Sequence, residues 1–313
     1  MCLFLIHVYM KNPGRHKVHS ISEQHRILSL PSPSHPQVTV FNFDDIRYST
    51  DERHSQLVLD LYCVSLKRDV QGKMLYGQGY YDFDEGVMVF TAPNQVVSNV
   101  RQEHRPSGWC VAFHPDFIRQ YPLGKKIKGY GFFDYSVNEA LHLSEKEEEM
   151  VIAIIQMMQR EIAQPIDAFS QDVVVAHLEL LLSYANRFYN RQFITRKDIS
   201  STLLTKFEAL LSDYFNQAHT ETSGPPAVSY FADQLNITPN YLSDMLRNLT
   251  GKGTLQHIQD ALIEKAKELL STTELSVSQI AYHFGFEYPQ SFNKLFKKKL
   301  NLTPLEYRQS FNN

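Results

Sequence analysis

Between Gln37 and Pro115 the chain carries short runs in which apolar, often β-branched residues crowd together: VTVFNF (38–43), LVLDLYCVSL (57–66), GVMVFTAP (86–93) and WCVAFHP (109–115). Their lengths, and the Gly and Pro residues between them, predict a compact antiparallel β domain over 37–143. The period changes at Ser144, which forms a capping-box pair with Glu147. Met150, Ile154, Met157 and Ile162 then recur at helical spacing. After Pro165 a second helix is expected over 169–189, with Val173, Ala176, Leu180, Tyr184 and Phe188 on one stripe. Residues 144–190 thus read as a helical hairpin whose Met-rich face suits packing on the β domain or on a second copy of the chain. Upstream, Pro13, Pro31, Pro33 and Pro36 lie among His and Ser without apolar periodicity, so 1–36 reads as an irregular arm. The polar stretch 191–200 reads as a linker, and from 201 to 313 the pattern is helical throughout.

The last third contains an internal repeat. Ala232 is followed four residues later by Asn236, and 49 positions on, Ala281 is followed four residues later by Gly285. A helix-turn-helix needs a small residue where the second helix crosses the first, and a left-handed turn that Gly adopts freely and Asn tolerates. Leu235 and Ile237 flank one turn, and Phe284 and Phe286 the other. Helix starts agree with this division: Thr238 before Pro239, Ser276 with Gln279, and Thr303 before Pro304 with Glu306. Between the units, Leu255, Ile258, Leu262, Ala266 and Leu269 form the inward stripe of a connecting helix. Its length predicts two reading helices about one DNA turn, ~34 Å, apart.

In each second helix the apolar residues are expected inward: Leu242, Met245, Leu246 and Leu249, then Phe292, Leu295 and Phe296. Asn240, Ser243, Asp244, Arg247 and Asn248 remain for the outer face of the first, and Gln290, Ser291, Asn293, Lys294, Lys297 and Lys298 for that of the second. Amides, hydroxyls and cations are the groups that read base edges and hold phosphates. A cluster such as Lys294, Lys297, Lys298 and Lys299 is ordinarily a solvated face. Its position on a reading helix is what makes it a phosphate-binding candidate, with Lys297 favoured.

The segment SVSQIAYHFGFEYPQSFNKLFKKKLNLTPLEYR (276–308) has hydrophobic-Ala, Gly-Phe, Ser-Phe, Phe-Lys, Pro and Tyr-Arg at set intervals. Over about residues 200–313 the chain resembles the DNA-binding domain of the AraC/XylS family of bacterial transcription regulators. That resemblance implies a tandem helix-turn-helix domain that binds double-stranded DNA, with RNA polymerase as an eventual partner. Carried over by position, it puts Asn240, Ser243 and Asp244, then Pro289, Gln290, Ser291, Asn293 and Lys294, against bases. Two departures stand out: Asp244 lies where many members carry a basic residue, and Asn236 replaces the usual glycine. GVMVFTAPNQVVS (86–98) and GWCVAFHPDF (108–117) look like the family's sensor half, a cupin-like β sandwich. The expected fold is therefore α+β in two domains, cupin-like and then all-α. The first would sense a small-molecule effector or form a homodimer.

Composition narrows the choices. With 31 Lys+Arg against 34 Asp+Glu the net charge is −3, so any nucleic-acid partner must be met by a local patch. Cys2, Cys63 and Cys110 form no C-x-x-C pair, which argues against a disulfide framework or a thiolate zinc site and for a reducing, cytoplasmic setting. The apolar opening MCLFLIHVY is far shorter than the ~20 residues of a membrane span. A metal-binding cupin would place paired histidines on a strand and a third beyond the Pro turn; Ser98 stands there instead, so no metal or other cofactor is expected. His104 and His114 read as surface or structural residues. Tyr76, Tyr80, Tyr81 and Phe83 suit either a ligand pocket or core packing. No catalytic motif occurs, and the chain reads as a non-enzyme. Two rivals stay open: a cupin-type enzyme with an accessory helical domain, and an interaction scaffold that does not bind DNA.

Overall fold

Alternating burial along short strands, followed by helices with one apolar face, gives two units, residues 1–189 and 190–313. A computed structural model describes residues 15–47, 56–68, 74–76, 79–81, 86–98, 107–136, 139–195, 197–216 and 226–310. In the first unit the strands are β1 (Arg15–Val18), β2 (Val38–Asn42), β3 (Gln56–Leu59), β4 (Tyr62–Arg68), β5 (Met74–Tyr76), β6 (Gly79–Tyr81), β7 (Val87–Thr91), β8 (Val96–Ser98), β9 (Ser107–Phe113) and β10 (Leu141–His142). Helix α1 (Ile21–Ile27) follows β1, α2 (Pro115–Ile118) and α3 (Pro122–Lys126) follow β9, and then come α4 (Glu145–Ile162) and α5 (Ser170–Thr195), whose last residues, from Asn190, belong to the second unit. A five-stranded sheet runs β10-β7-β4-β9-β2, antiparallel throughout. A second sheet runs β1-β3-β8, with β1 parallel to β3, and β5 pairs with β6.

Several expectations need correction. Within 1–36, residues 15–27 are not an irregular arm. β1 finds its hydrogen bonds on β3, and α1 starts at Ser20, whose side chain accepts from the Glu23 amide while Glu23 accepts from the His19 amide. Inside α1, buried His25 donates from Nδ1 to the Pro31 carbonyl at 2.5 Å and bonds Thr39 Oγ1 at 2.8 Å through Nε2, which fixes the helix on the sheet. Nor is the run 57–66 one strand. It breaks at Asp60, whose amide donates to the Val18 carbonyl and whose carboxylate meets Lys17 and His19, so that β3 and β4 join different sheets.

The hairpin stripes also shift. On α4 the buried apolar residues are Val151, Ile154, Ile155 and Met158, set against β2 and β9, while Met150 and Met157 are exposed. On α5 Val174, Val175, Leu178, Leu181, Leu182, Ala185 and Phe188 are buried, and Val173 and Leu180 are exposed. Both helices carry apolar residues beyond one face, so periodicity alone selected a neighbouring stripe. The units divide at 189/190, beside the stretch 191–200 read as a linker, but that stretch is largely helical: α5 runs to Thr195 and α6 begins at Lys197. His114 caps α2 by accepting from the Asp116 amide, a structural role. His104 and Phe83, and the side chains of Tyr76, Tyr80 and Tyr81, lie outside the described residues.

The second unit is helical: α6 (Lys197–Asn216), α7 (Val228–Gln234), α8 (Pro239–Thr250), α9 (Thr254–Thr272), α10 (Val277–His283), α11 (Pro289–Leu300) and α12 (Pro304–Gln309). Aromatic rings run through its core from Phe207 to Phe231, Tyr214, Phe215, Phe284, Phe292, Phe296 and Tyr307, each 5.5–6.3 Å from the next. Phe215 at the end of α6 therefore joins one helical pair to the other, a link that sequence spacing did not suggest. Arg308 of α12 donates from Nε to the Leu270 carbonyl and so ties the last helix to the end of α9.

Candidate nucleic-acid interface

The two turns of the second unit share the same backbone geometry at their centres. Asn236 has φ 54° and Gly285 φ 75°, the left-handed conformation that only Gly, and Asn among the others, adopts cheaply. The Ile237 amide donates to the Ala232 carbonyl, and the Phe286 amide to the Ala281 carbonyl, both at 3.0 Å. Ala232 and Ala281 are wholly buried at the crossings, where a larger side chain would push the helices apart. We therefore expect Gly285→Asn to melt near the wild type, since Asn already serves the first turn. Gly285→Val should lower stability by roughly 2 kcal/mol or more, because a β-branched residue at positive φ is strained. Equal melting of the two variants in thermal denaturation would mean that the left-handed turn does not limit stability.

Helix α8 starts at Thr238, whose hydroxyl accepts from the Tyr241 amide, with Pro239 at the first position. Helix α11 likewise starts with Pro289, and α8 and α11 each span 12 residues. Both end on left-handed residues, Gly251 and Asn301. Capping boxes at Ser276–Gln279 and Thr303–Glu306 fix the starts of α10 and α12. The connecting helix α9 has 19 residues, a rise of about 28 Å. Its buried face is Thr254, Ile258, Leu262, Ile263, Ala266 and Leu270; Leu255, expected inward, is exposed.

The outer face of α11 matches the expectation. Gln290, Ser291, Asn293, Lys294, Lys297 and Lys298 are exposed, Pro289 is half-buried, and Phe292 and Phe296 are fully inward. Lys299 behaves differently. It is half-buried and donates to Asp260 of α9 at 2.7 Å, as does Lys252. Partial burial acts to raise the Asp260 carboxyl, but these two ammonium groups prevail and hold it below the usual carboxylate range. A fold-stabilising tether thus takes one lysine from the basic cluster.

The face of α8 is more constrained. Asn240 and Arg247 are exposed, but Ser243 is not outward as expected. It is half-buried, and its hydroxyl bonds to that of buried Thr254 at 3.0 Å, joining α8 to the start of α9. Asp244 is half-buried too and pairs with Arg247 at 2.7 Å, while Asn248 donates to the Asp244 carbonyl. The charge on Arg247 is therefore partly met within its own helix. Tyr241, which the sequence left unassigned, is buried edge-on against Phe193.

Comparison with known proteins agrees with this geometry. A family described as a helix-turn-helix domain matches residues 231–310. Histidine kinase P4 of Formosa agariphila is 29% identical over 135 residues, 43% of this chain and 10% of that protein. The uncharacterized HTH-type transcriptional regulator YfiF of Bacillus subtilis is 27% identical over 157 residues, 48% of this chain and 46% of the relative. The HTH-type transcriptional activator RhaS of Escherichia coli O157:H7 is 35% identical over 78 residues, 25% of this chain and 28% of the relative. The chain thus spans half or less of the length of these relatives. Among the described residues no helix is long and apolar enough to cross a membrane.

Proposed function

We propose that this chain, whose carboxy-terminal region is an AraC-type helix-turn-helix domain, is a sequence-specific regulator of transcription that acts through two successive major grooves of one duplex. The observation that supports this best is the repeated turn geometry, which presents α8 and α11 as equivalent helices in one aromatic-cored unit. In this reading α11 is the main anchor. Gln290, Ser291 and Asn293 meet base edges at its start, with Pro289 at the groove wall and Lys294 and Lys297 on phosphates. Helix α8 contributes Asn240 at its start, and Asp244 and Arg247 act as a pair. An acidic group beside a cation accepts from cytosine amines, which makes the first unit the weaker and more selective reader. Ser243 positions α8 rather than touching DNA.

The amino-terminal unit we take as a cupin-like sensor and dimerisation module without enzymatic activity. Exposed Met150 and Met157 on α4, with Leu180 on α5, are the proposed contact with a second copy. RNA polymerase is the proposed later partner and the cytoplasm the proposed setting.

Selection of preferred duplexes from a random pool, followed by fluorescence anisotropy across a salt series, tests the reading. Lys297→Ala should weaken binding to all sequences alike and flatten the salt slope by about one counterion. Gln290→Ala should lose about 1–3 kcal/mol chiefly at one base position. If neither change alters affinity for the selected site, α11 is not the docking helix. Asp260→Asn should act in the opposite sense, freeing Lys252 and Lys299 and raising low-salt affinity with a steeper salt slope. Asp260 is partly exposed, so the loss of stability should stay below about 1 kcal/mol. Because the native carboxyl lies low, that contribution is present above the unfolded-state range and fades as pH falls through the native value.

A further inference from the structure

Where β4 and β9 run side by side, the apolar interior of the amino-terminal unit holds a group of sulfur and polar atoms that the DNA-binding reading does not use. Cys63, Ser65 and Lys67 alternate onto one face of β4. Cys63 lies opposite Ala112, and Ser65 opposite Cys110, so the two cysteines are diagonal neighbours on that face. They are 4% and 3% exposed and sit among Val18, Phe41, Ile46 and Leu61. Both are free thiols, and the Ser65 hydroxyl donates to Cys110 Sγ at 3.7 Å. From α1, Gln24, itself 5% exposed, donates Nε2 to Cys63 Sγ at 3.9 Å. Its Oε1 is buried with no hydrogen-bond partner among the described residues. The Lys67 ammonium lies over the Phe43 ring at 5.9 Å and close enough for its charge to act on Cys110; among the described residues it forms no ion pair with a carboxylate. A buried amide oxygen with no partner and a lysine with no carboxylate partner, both among the described residues, thus lie beside a pair of buried thiols.

We propose that Cys63 and Cys110 are the two ligands of a linear site for a soft monovalent d10 cation, copper(I) or silver(I). Thiolates select soft ions. Zinc wants four donors, and no group of three or more metal-binding side chains occurs among the described residues. Charge decides between soft ions. Two thiols release two protons and, with one monovalent ion, leave a net single negative charge, which the Lys67 ammonium offsets. A divalent ion would neutralise the thiolates and leave the half-buried Lys67 without that offset. Geometry argues against a disulfide as the resting state. Diagonal neighbours on antiparallel strands are about 7–8 Å apart, at or beyond the ~7 Å limit for bridging cysteines without backbone movement, whereas an ion between the sulfurs spans a longer gap.

The test uses the full reduced chain under anaerobic conditions, titrated with acetonitrile-stabilised copper(I) against a competing chelator, and needs no DNA. One ion per chain is expected, with a thiolate-to-metal band in the ultraviolet and an X-ray absorption shell of two sulfurs. Cys63→Ser and Cys110→Ser should each lower affinity by more than about 100-fold, and Lys67→Met by about 10-fold. Cys2→Ser should bind as the wild type does. The proposal fails if wild-type protein takes up no ion, if the absorption shell contains three or more donors, or if a folded Cys63→Ser/Cys110→Ser double variant binds as tightly as the wild type. It fails equally if mass spectrometry of the chain purified with its thiols protected shows a Cys63–Cys110 disulfide and copper(I) does not bind after reduction.

Discussion

Phe292→Ala is expected to destabilise the carboxy-terminal unit by about 3–5 kcal/mol and to abolish duplex binding with it. The side chain is fully buried on the inward face of α11 and meets Phe284, Phe286 and Phe296 at ring separations of 6.3, 5.6 and 5.7 Å. Deleting it removes the apolar contact of the largest residue type in that core and opens a cavity between rigid rings, which relax poorly into the gap. The effect should spread beyond the second helical pair, because Phe284 also carries the contact to Phe215 of α6. Leu242, wholly buried at the matching place of α8, gives a milder comparison, with about 2–5 kcal/mol expected for Leu242→Ala. Urea denaturation with anisotropy on the selected duplex checks both. A Phe292→Ala protein within about 1 kcal/mol of the wild type would mean that α11 is not held by this aromatic core.

The helix-turn-helix pairs were legible because local chemistry and tertiary demand coincide there. Asn236 and Gly285 are the residues a left-handed turn requires, and Thr238, Ser276 and Thr303 are start signals that act within four residues. Where non-local pairing decides the outcome, the pattern misled. β1 exists because β3 offers it a partner, a pairing that no local signal in 15–18 encodes. Ser243 looked outward by helical spacing, yet the Thr254 hydroxyl on a different helix turns it to structural use. Lys299 belongs to a basic run in sequence and to an ion pair in space, since Asp260 lies 39 positions away. Cys63 and Cys110 share no spacing signal, and only the β4–β9 register brings them together.

That register can be challenged at a single atom. Gly108→Ala is expected to lower stability by roughly 3 kcal/mol or more, a larger loss than alanine should cause at Gly251 or Gly129. Gly108 has φ 117°, a conformation side chains rarely adopt, and an added Cβ would lie 2.2 Å from the Leu66 carbonyl oxygen and 3.1 Å from its carbon. Those are backbone atoms of the paired strand, so no rotamer change relieves the overlap. β9 must move away from β4, and strain and overpacking then act together. The two other glycines separate these causes. Gly251 has φ 77° with nothing within 4 Å of an added Cβ, so Gly251→Ala should show conformational strain alone, about 1–2 kcal/mol. Gly129 has open space and no such φ, so Gly129→Ala should be neutral or slightly stabilising. Urea midpoints should therefore fall in the order Gly129→Ala, Gly251→Ala, Gly108→Ala. Should Gly108→Ala instead match Gly129→Ala, Gly108 does not pair closely with Lys67, and the register that juxtaposes Cys63 with Cys110 two residues further along β9 loses its support.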